Sequence, residues 1–252
     1  MLRCGTIDIG NTRVKLRFTS FNTEDQSFQP ATLSVHPKEE FSLELLKKWV
    51  EEHEIKYIAC AASGHISVEV NNWFTKHNVL LLSHKSNMPI KIAYETPETL
   101  GKDRMAVAIA ANSMYPNEGN LVIDLGTCIT YDWVDPKGVF LGGNISPGIE
   151  MRLEAMHEKT ASLPKAELSY SVDLVGRNTI SALQHGAVMG TICEIESFIE
   201  RSSEKYSDLV VLLTGGNAAN VSKLLNKNHL VEPELLHIGL CELIRYNYDD
   251  FK

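Results

Sequence analysis

The chain has 252 residues, and its 24 Lys and Arg against 32 Asp and Glu leave a formal charge of −8, which argues against a basic footprint for nucleic acid. With 44% hydrophobic and 22% charged residues, wholesale disorder is excluded. No apolar run approaches the ~18 residues a membrane span needs, Asp8 falls where a secretory leader would need its apolar centre, and the five cysteines are scattered; the expectation is a reduced, cytoplasmic protein with no membrane and no nucleic-acid partner.

Strand-like and helix-like signals alternate along the chain. Cys4 to Ile9 reads as a strand, as does Arg13 to Thr19, where Val14, Leu16 and Phe18 alternate with Arg13, Lys15 and Arg17. Phe41, Leu45, Leu46, Trp49 and Val50 form one helical stripe within Glu39 to His53. Tyr57 to Ala62 and Val79 to Leu82 read as strands around a helix from Val68 to His77, and the Ala- and Met-rich Leu100 to Met114 reads as a helix. The pattern then restarts with strands at Asn120 to Asp124, Ile129 to Val134 and Val139 to Gly143. A helix is predicted from Pro147, taken as a first-turn proline. Asn178 to Lys205 follows as one long helix or two, then a strand from Leu209 to Leu213 and closing helices. This is an α/β pattern of sheets covered by helices. The turn-rich stretch Tyr115 to Gly119 marks the expected boundary between residues 1–116 and 117–252.

An internal echo carries more than any single element. Ile7-Asp8-Ile9-Gly10-Asn11-Thr12 resembles Ile123-Asp124-Leu125-Gly126-Thr127, with the two aspartates 116 residues apart. Each is a strand ending in Asp, a glycine turn with a hydroxyl residue, then another strand. Repeats of solenoids run to ~20–50 residues, so this spacing points to two similar domains. Gly10 and Asn11 can take up the left-handed conformations of a tight hairpin, and glycine lets backbone N–H groups approach a phosphate. Asn11 and Thr12 add side-chain donors, and Asp8 can hold Mg²⁺ through water. In the second copy Thr127 is a hydroxyl donor and Asp124 an anionic ligand for a metal ion. An ordinary structural hairpin, duplicated, is the competing reading.

Three further segments are chemically suggestive. Thr214-Gly215-Gly216-Asn217 follows a strand and offers bare backbone to a flat ring such as adenine, although Gly-Gly after a strand is common. Gly142-Gly143-Asn144-Ile145-Ser146-Pro147-Gly148 leads into a helix N-terminus suited to an anion, or simply connects strand to helix. In Gly101-Lys102-Asp103-Arg104, Asp103 can orient a hydroxyl or accept its proton, and Arg104 can grip a carboxylate with two hydrogen bonds. The same residues also suit a plain helix start. Thr179, after Arg177-Asn178, reads on its own as a helix cap.

Taken in order, these motifs resemble the type III pantothenate kinases of the acetate kinase, sugar kinase, Hsp70 and actin superfamily. The resemblance runs through Asp8 to Lys15, Tyr94 and Pro97, Gly101 to Arg104, Asp124 to Thr127, Gly142-Gly143 with Ser146-Pro147-Gly148, Leu163-Pro164, Gly176 with Asn178-Thr179, and Thr214-Gly215-Gly216. It implies two ribonuclease H-like (actin-like ATPase) domains with an interdomain nucleotide cleft, and ATP-dependent phosphorylation of pantothenate, the first step of coenzyme A synthesis. By the same resemblance Asp103 is the catalytic base. Asp8, Ile9, Gly10, Asn11, Thr12, Arg13, Val14, Lys15 and Thr127 meet the nucleotide phosphates. Tyr94, Gly101, Lys102, Asp103, Arg104 and Thr179 meet pantothenate. Asp124 holds a monovalent cation, K⁺ or NH₄⁺, and Asp8 serves Mg²⁺. A homodimer is implied. Lys102 stands where many members have Ala, and Ala61-Ala62-Ser63-Gly64 where many have a Ser-Val-Val-Pro-like stretch. Rival expectations are another small-molecule kinase or phosphohydrolase of the superfamily, and a non-catalytic regulator of the Bvg accessory factor kind.

Overall fold

A computed structural model describes residues 1–25, 27–29 and 32–248. The chain divides into two compact units: residues 1–116, 138–140 and 234–252 form the first, and 117–137 with 141–233 the second. The single cut expected at Pro116 therefore meets a chain that returns: residues from Glu234 onward pack into the first unit.

In the first unit β1 (Leu2–Ile9), β2 (Arg13–Phe21), β3 (Thr32–Pro37), β4 (Tyr57–Ala62) and β5 (Leu80–Leu81) form a sheet of order β3-β2-β1-β4-β5. β1 pairs antiparallel with β2 and parallel with β4. Alternation along β1 sends Ile7 and Ile9 into a core with Leu46, Trp49, Val70 and Phe74 from α1 (Leu43–Glu52) and α2 (Val68–Lys76). Ser42 and Ser67 start those helices by accepting hydrogen bonds from the Leu45 and Val70 N–H groups. Gly5 lies on the same face because a Cβ there would press on the Trp49 ring. The alternate residue Thr6 points the other way, and its hydroxyl meets His237 of α7 (Leu235–Tyr246) at 2.8 Å. On that face α7 packs along α3 (Lys102–Met114), whose residues 104–111 are all buried. The two helices approach so closely that a Cβ on Gly239 would run into the Ala106 carbonyl.

In the second unit β7 (Gly119–Leu125), β8 (Cys128–Val134), β9 (Val139–Pro147), β10 (Leu209–Thr214) and β11 (Leu230–Val231) follow the order β9-β8-β7-β10-β11. Counted from its first strand, this is the order of the first sheet, so the motif echo is a repeat of topology. The opening residues of β9, Val139 and Phe140, belong to the first unit and pair there with β6 (Lys91–Ile92). Leu121, Ile123, Tyr131 and Leu213 pack under α4 (Ile149–Glu158), α5 (Thr179–Lys205) and α6 (Ala218–Ser222) in one apolar core.

Two sequence expectations change here. Pro147 does not open a helix; it ends β9, and α4 starts at Ile149 behind Gly148. The reason is a hydrogen bond from the Gly148 N–H to the Thr127 carbonyl (3.1 Å), which keeps the chain extended through Pro147. Residues 179–205 form one unbroken helix, capped by Asn178, not by Thr179, through a reciprocal Asn178–Ser181 box. Among the described residues no helix is long and apolar enough to cross a membrane.

Candidate active site

The first unit gathers an acidic centre at the end of β1. Asp8 pairs in register with Lys15 across the hairpin, and Lys15 Nζ lies 3.4 Å from Asp8 Oδ2. Burial pushes the Asp8 carboxyl above its ordinary range. The Lys15 charge and hydrogen bond pull it back, and the nearby Asp103 carboxylate adds a smaller upward push. The sequence therefore brings two acids, 95 positions apart, within electrostatic reach.

The turn between β1 and β2 closes with the Gly10 N–H donating to the Arg13 carbonyl at 3.0 Å. Neither Gly10 nor Asn11 has a positive φ, contrary to the tight left-handed hairpin expected. Three residues separate the strands, Gly10 to Thr12, and ordinary backbone angles suffice to close them. Glycine is needed here for close approach. Ser63 and Gly64 both donate N–H groups to the Ile9 carbonyl, at 3.0 and 2.9 Å, and a Cβ on Gly64 would strike the Gly10 carbonyl. Asn11, Thr12 and Arg13 present exposed side chains, whereas Ile9 and Val14 are fully buried and offer only backbone.

Asp103 occupies the first turn of α3, where a carboxylate complements the helix dipole. Its Oδ1 accepts the Arg104 N–H at 2.9 Å, and a Cβ on Gly101 would collide with that oxygen. Lys102 Nζ is tied to the Leu100 carbonyl at 3.0 Å. Arg104 is buried, its guanidinium carbon 5.9 Å from the Tyr94 ring centre and 5.8 Å from that of Phe140. Tyr94 and Arg104 are thus brought together. Phe140 escaped sequence reasoning, because nothing in a strand residue 36 positions downstream signals a partner for Arg104.

The second unit builds a different centre on the same hairpin plan. Asp124 pairs in register with Thr130, where Asp8 faces a lysine. The Asp124 carboxylate lies against Gly215, whose φ of +90° and lack of a Cβ let the chain pass Asp124 Oδ1. The Asn217 N–H donates to the Leu125 carbonyl at 3.1 Å, and its side-chain amide donates to Glu150 of α4 at 3.1 Å. The turn Gly126-Thr127, the Gly148 helix start and the Thr214-to-Asn217 segment therefore share one locality. Thr179 opens α5 as an exposed residue.

Among the described residues no three His, Cys, Asp or Glu side chains cluster as a metal cage. Asp8 is a single, largely buried carboxylate beside Lys15, and a lone carboxylate is enough for Mg²⁺, an ion that takes one or two carboxylates and keeps its waters.

Two sheets that share one order over five strands, the second extended at its edge by β6, each with an Asp-x-Gly hairpin leaving its first strand, define the two-domain fold of the actin-like ATPases and sugar kinases. Solved structures agree. A glucokinase from an Antarctic psychrotroph superposes with a TM-score of 0.54 at 12% identity over 98% of this chain and 99% of that one. A Campylobacter jejuni protein described as a Baf family transcriptional activator superposes with a TM-score of 0.62 at 18% identity, over 97% and 99%. At such identities the likeness is one of fold. Sequence goes further. The model of the type III pantothenate kinase family matches residues 6–201. The type III pantothenate kinase of Flavobacterium psychrophilum is 35% identical over 242 residues, 96% of this chain and 98% of its own length. The chain belongs to the type III pantothenate kinase family and is a kinase.

Proposed function

We propose that this protein transfers the γ-phosphoryl group of ATP to the primary hydroxyl of pantothenate, opening coenzyme A synthesis. The observation that carries the reading is the placement of Asp103 within electrostatic reach of Asp8, one residue before the ring-flanked Arg104, in a chain of this family. Asp103 aligns the pantothenate hydroxyl and takes its proton as the new O–P bond forms. The bond from the γ-phosphorus to its bridging oxygen breaks, and ADP leaves. Phosphoryl transfer has a loose transition state, so positioning and charge placement supply most of the acceleration. Residues 8–15 and Thr127 serve the nucleotide phosphates, largely through backbone N–H groups and the exposed Asn11, Thr12 and Thr127 side chains. Tyr94, Gly101, Lys102, Arg104 and Thr179 serve pantothenate, and Arg104 holds its carboxylate.

Asp8 is the residue to hold Mg²⁺ and Asp124 the one to hold K⁺ or NH₄⁺; bound there, such cations offset charge developing on the phosphates. The reading includes a homodimer, supported by Leu174, Val175 and Ile180, which are 81%, 64% and 40% exposed around Thr179. It also includes a cytoplasmic setting, supported by five free cysteines.

The test is coupled detection of ADP release with Mg-ATP, with and without pantothenate, in potassium and in sodium. Release that depends on pantothenate and is faster in potassium is expected. Release driven by a sugar and not by pantothenate overturns the reading.

A further inference from the structure

The second hairpin is held from behind by groups that none of the roles above use. The peptide joining Pro147 to Gly148 is gripped at both ends. Its N–H donates to the Thr127 carbonyl at 3.1 Å, and its C=O accepts from Arg152 Nε at 2.9 Å. Because a peptide unit is planar and stiff, fixing its carbonyl fixes the direction of its N–H. A cation on the oxygen also makes the N–H a stronger donor. Gly148 cannot be replaced without pushing a Cβ into the Gly126 and Thr127 carbonyls, so the contact is direct backbone on backbone.

Arg152 is itself locked. One Nη2 group donates to Ser146 Oγ at 2.9 Å and to Glu194 Oε2 at 2.5 Å. The other carboxylate oxygen of Glu194 accepts the Tyr131 hydroxyl at 2.8 Å. Tyr131 is fully buried in β8, the strand that leaves the turn, and Glu194 stands on α5. Burial opposes a charge on Glu194, yet the hydrogen bonds from Arg152, Tyr131 and Ser146 and the Arg152 charge hold its carboxyl below the ordinary range. The side chains of Arg152 and Glu194 are only 20% and 25% exposed, so the pair is shielded from much of the solvent screening that weakens surface ion pairs.

We infer that Arg152, held by Glu194 and Tyr131, is a positioning residue that sets the orientation of Thr127 through the Pro147–Gly148 peptide. This rests on the reading of Thr127 as a nucleotide contact. The planar fork of arginine is required, because one side chain must reach a backbone carbonyl, a hydroxyl and a carboxylate at once. An ammonium in its place keeps the ion pair with Glu194 and releases Pro147.

The experiment compares the parent with Arg152→Lys and Tyr131→Phe, measuring kcat, KM for ATP, KM for pantothenate and Tm. A second readout is titration of Mg-ATP binding without pantothenate. Arg152→Lys is expected to raise KM and Kd for ATP by about 10-fold, with KM for pantothenate unchanged and Tm close to the parent. Tyr131→Phe is expected to move the same two ATP constants in the same direction by less. Parent-like ATP constants in Arg152→Lys overturn the inference, and so does a fall in Tm with both KM values rising together. If the parent fails to phosphorylate pantothenate, the functional reading fails; the inference is then decided by whether Arg152→Lys weakens Mg-ATP binding.

Discussion

Lys15 faces Asp8 across the first hairpin with its ammonium 3.4 Å from the carboxylate, and it opposes the burial that would keep that acid protonated. In the proposed role Asp8 serves a cation or an ATP complex in its ionised form, so activity is expected to fall as pH drops through the Asp8 pKa, which lies above the ordinary range. Lys15→Met removes the charge and hydrogen bond that pull the pKa down. The acid limb of kcat/KM is therefore expected to move to higher pH, and a pH–rate profile checks it. A limb that stays put means Asp8 does not control it.

For Asp103→Asn the expectation is a loss of kcat of roughly 10²–10⁴-fold with little change in ATP affinity. The amide keeps the shape and can still accept the Arg104 N–H, so a large stability change is not expected. Steady-state kinetics beside a nucleotide titration separates the two effects. Near-normal turnover removes Asp103 from proton transfer.

Arg104 lies buried beside the neighbouring Tyr94 and Phe140 rings, whose faces its guanidinium approaches before a ligand arrives. Lysine lacks the planar fork that can grip a carboxylate with two hydrogen bonds. Arg104→Lys is expected to raise KM for pantothenate by about 10- to 100-fold, the loss of one charge-assisted hydrogen bond, while KM for ATP holds. An unchanged pantothenate KM would place the carboxylate elsewhere.

His237 gives the chain an acid-sensitive joint. Its Nδ1 meets the Thr6 hydroxyl, its Nε2 is buried with no hydrogen-bond partner among the described residues, and burial, then the charges of Lys15 and Arg17, lower its pKa from 6.5 to about 3. The unfolded chain takes up a proton below the ordinary value that the folded chain refuses. Stability is thus lost as pH falls from about 6.5 towards about 3, by about 1.4 kcal/mol per pH unit from this group. Urea unfolding near neutral pH and a unit or more lower measures the slope. His237→Gln is expected to flatten it by that amount, and an identical slope in the variant would refute the assignment.

Gly239→Ala sets a methyl against the Ala106 carbonyl where α7 crosses α3. Overpacking of this kind costs about 1–3 kcal/mol. A lowered Tm is expected, together with weaker catalysis, because α3 carries Asp103. A Tm equal to the parent's would show that the helices can separate at no cost.

Both hairpins can be read in the chain because each is written locally: alternating residues for the strands, an Asp at the strand end, a glycine at the turn. Asp103 and Arg104 are also local, at the head of an Ala-rich helix. What escapes is whatever depends on distant partners. Tyr131, Arg152 and Glu194 meet from three elements, with separations of 63 and 42 residues, and no periodicity marks them as a set. Pro147 misleads because proline suits a helix start and a strand end equally, and the choice falls to a Thr127 carbonyl 20 positions earlier. β5, two residues long, is legible because it sits in the apolar run Val79 to Leu82, whereas β6 and β11, equally short, lie in no such run. The amphipathic character of α7 announces a buried face without saying that it is buried on residues 1–116.

That return of α7 has a temporal consequence. On the ribosome, α3 emerges long before Leu235–Tyr246, with the whole second unit translated in between. Until then α3 lacks its largest packing partner, and the helix bearing Asp103 is held chiefly through its contact with β4. The nascent chain thus passes through an interval in which the face of the first unit that α7 covers is still open, a defined surface for a chaperone to guard.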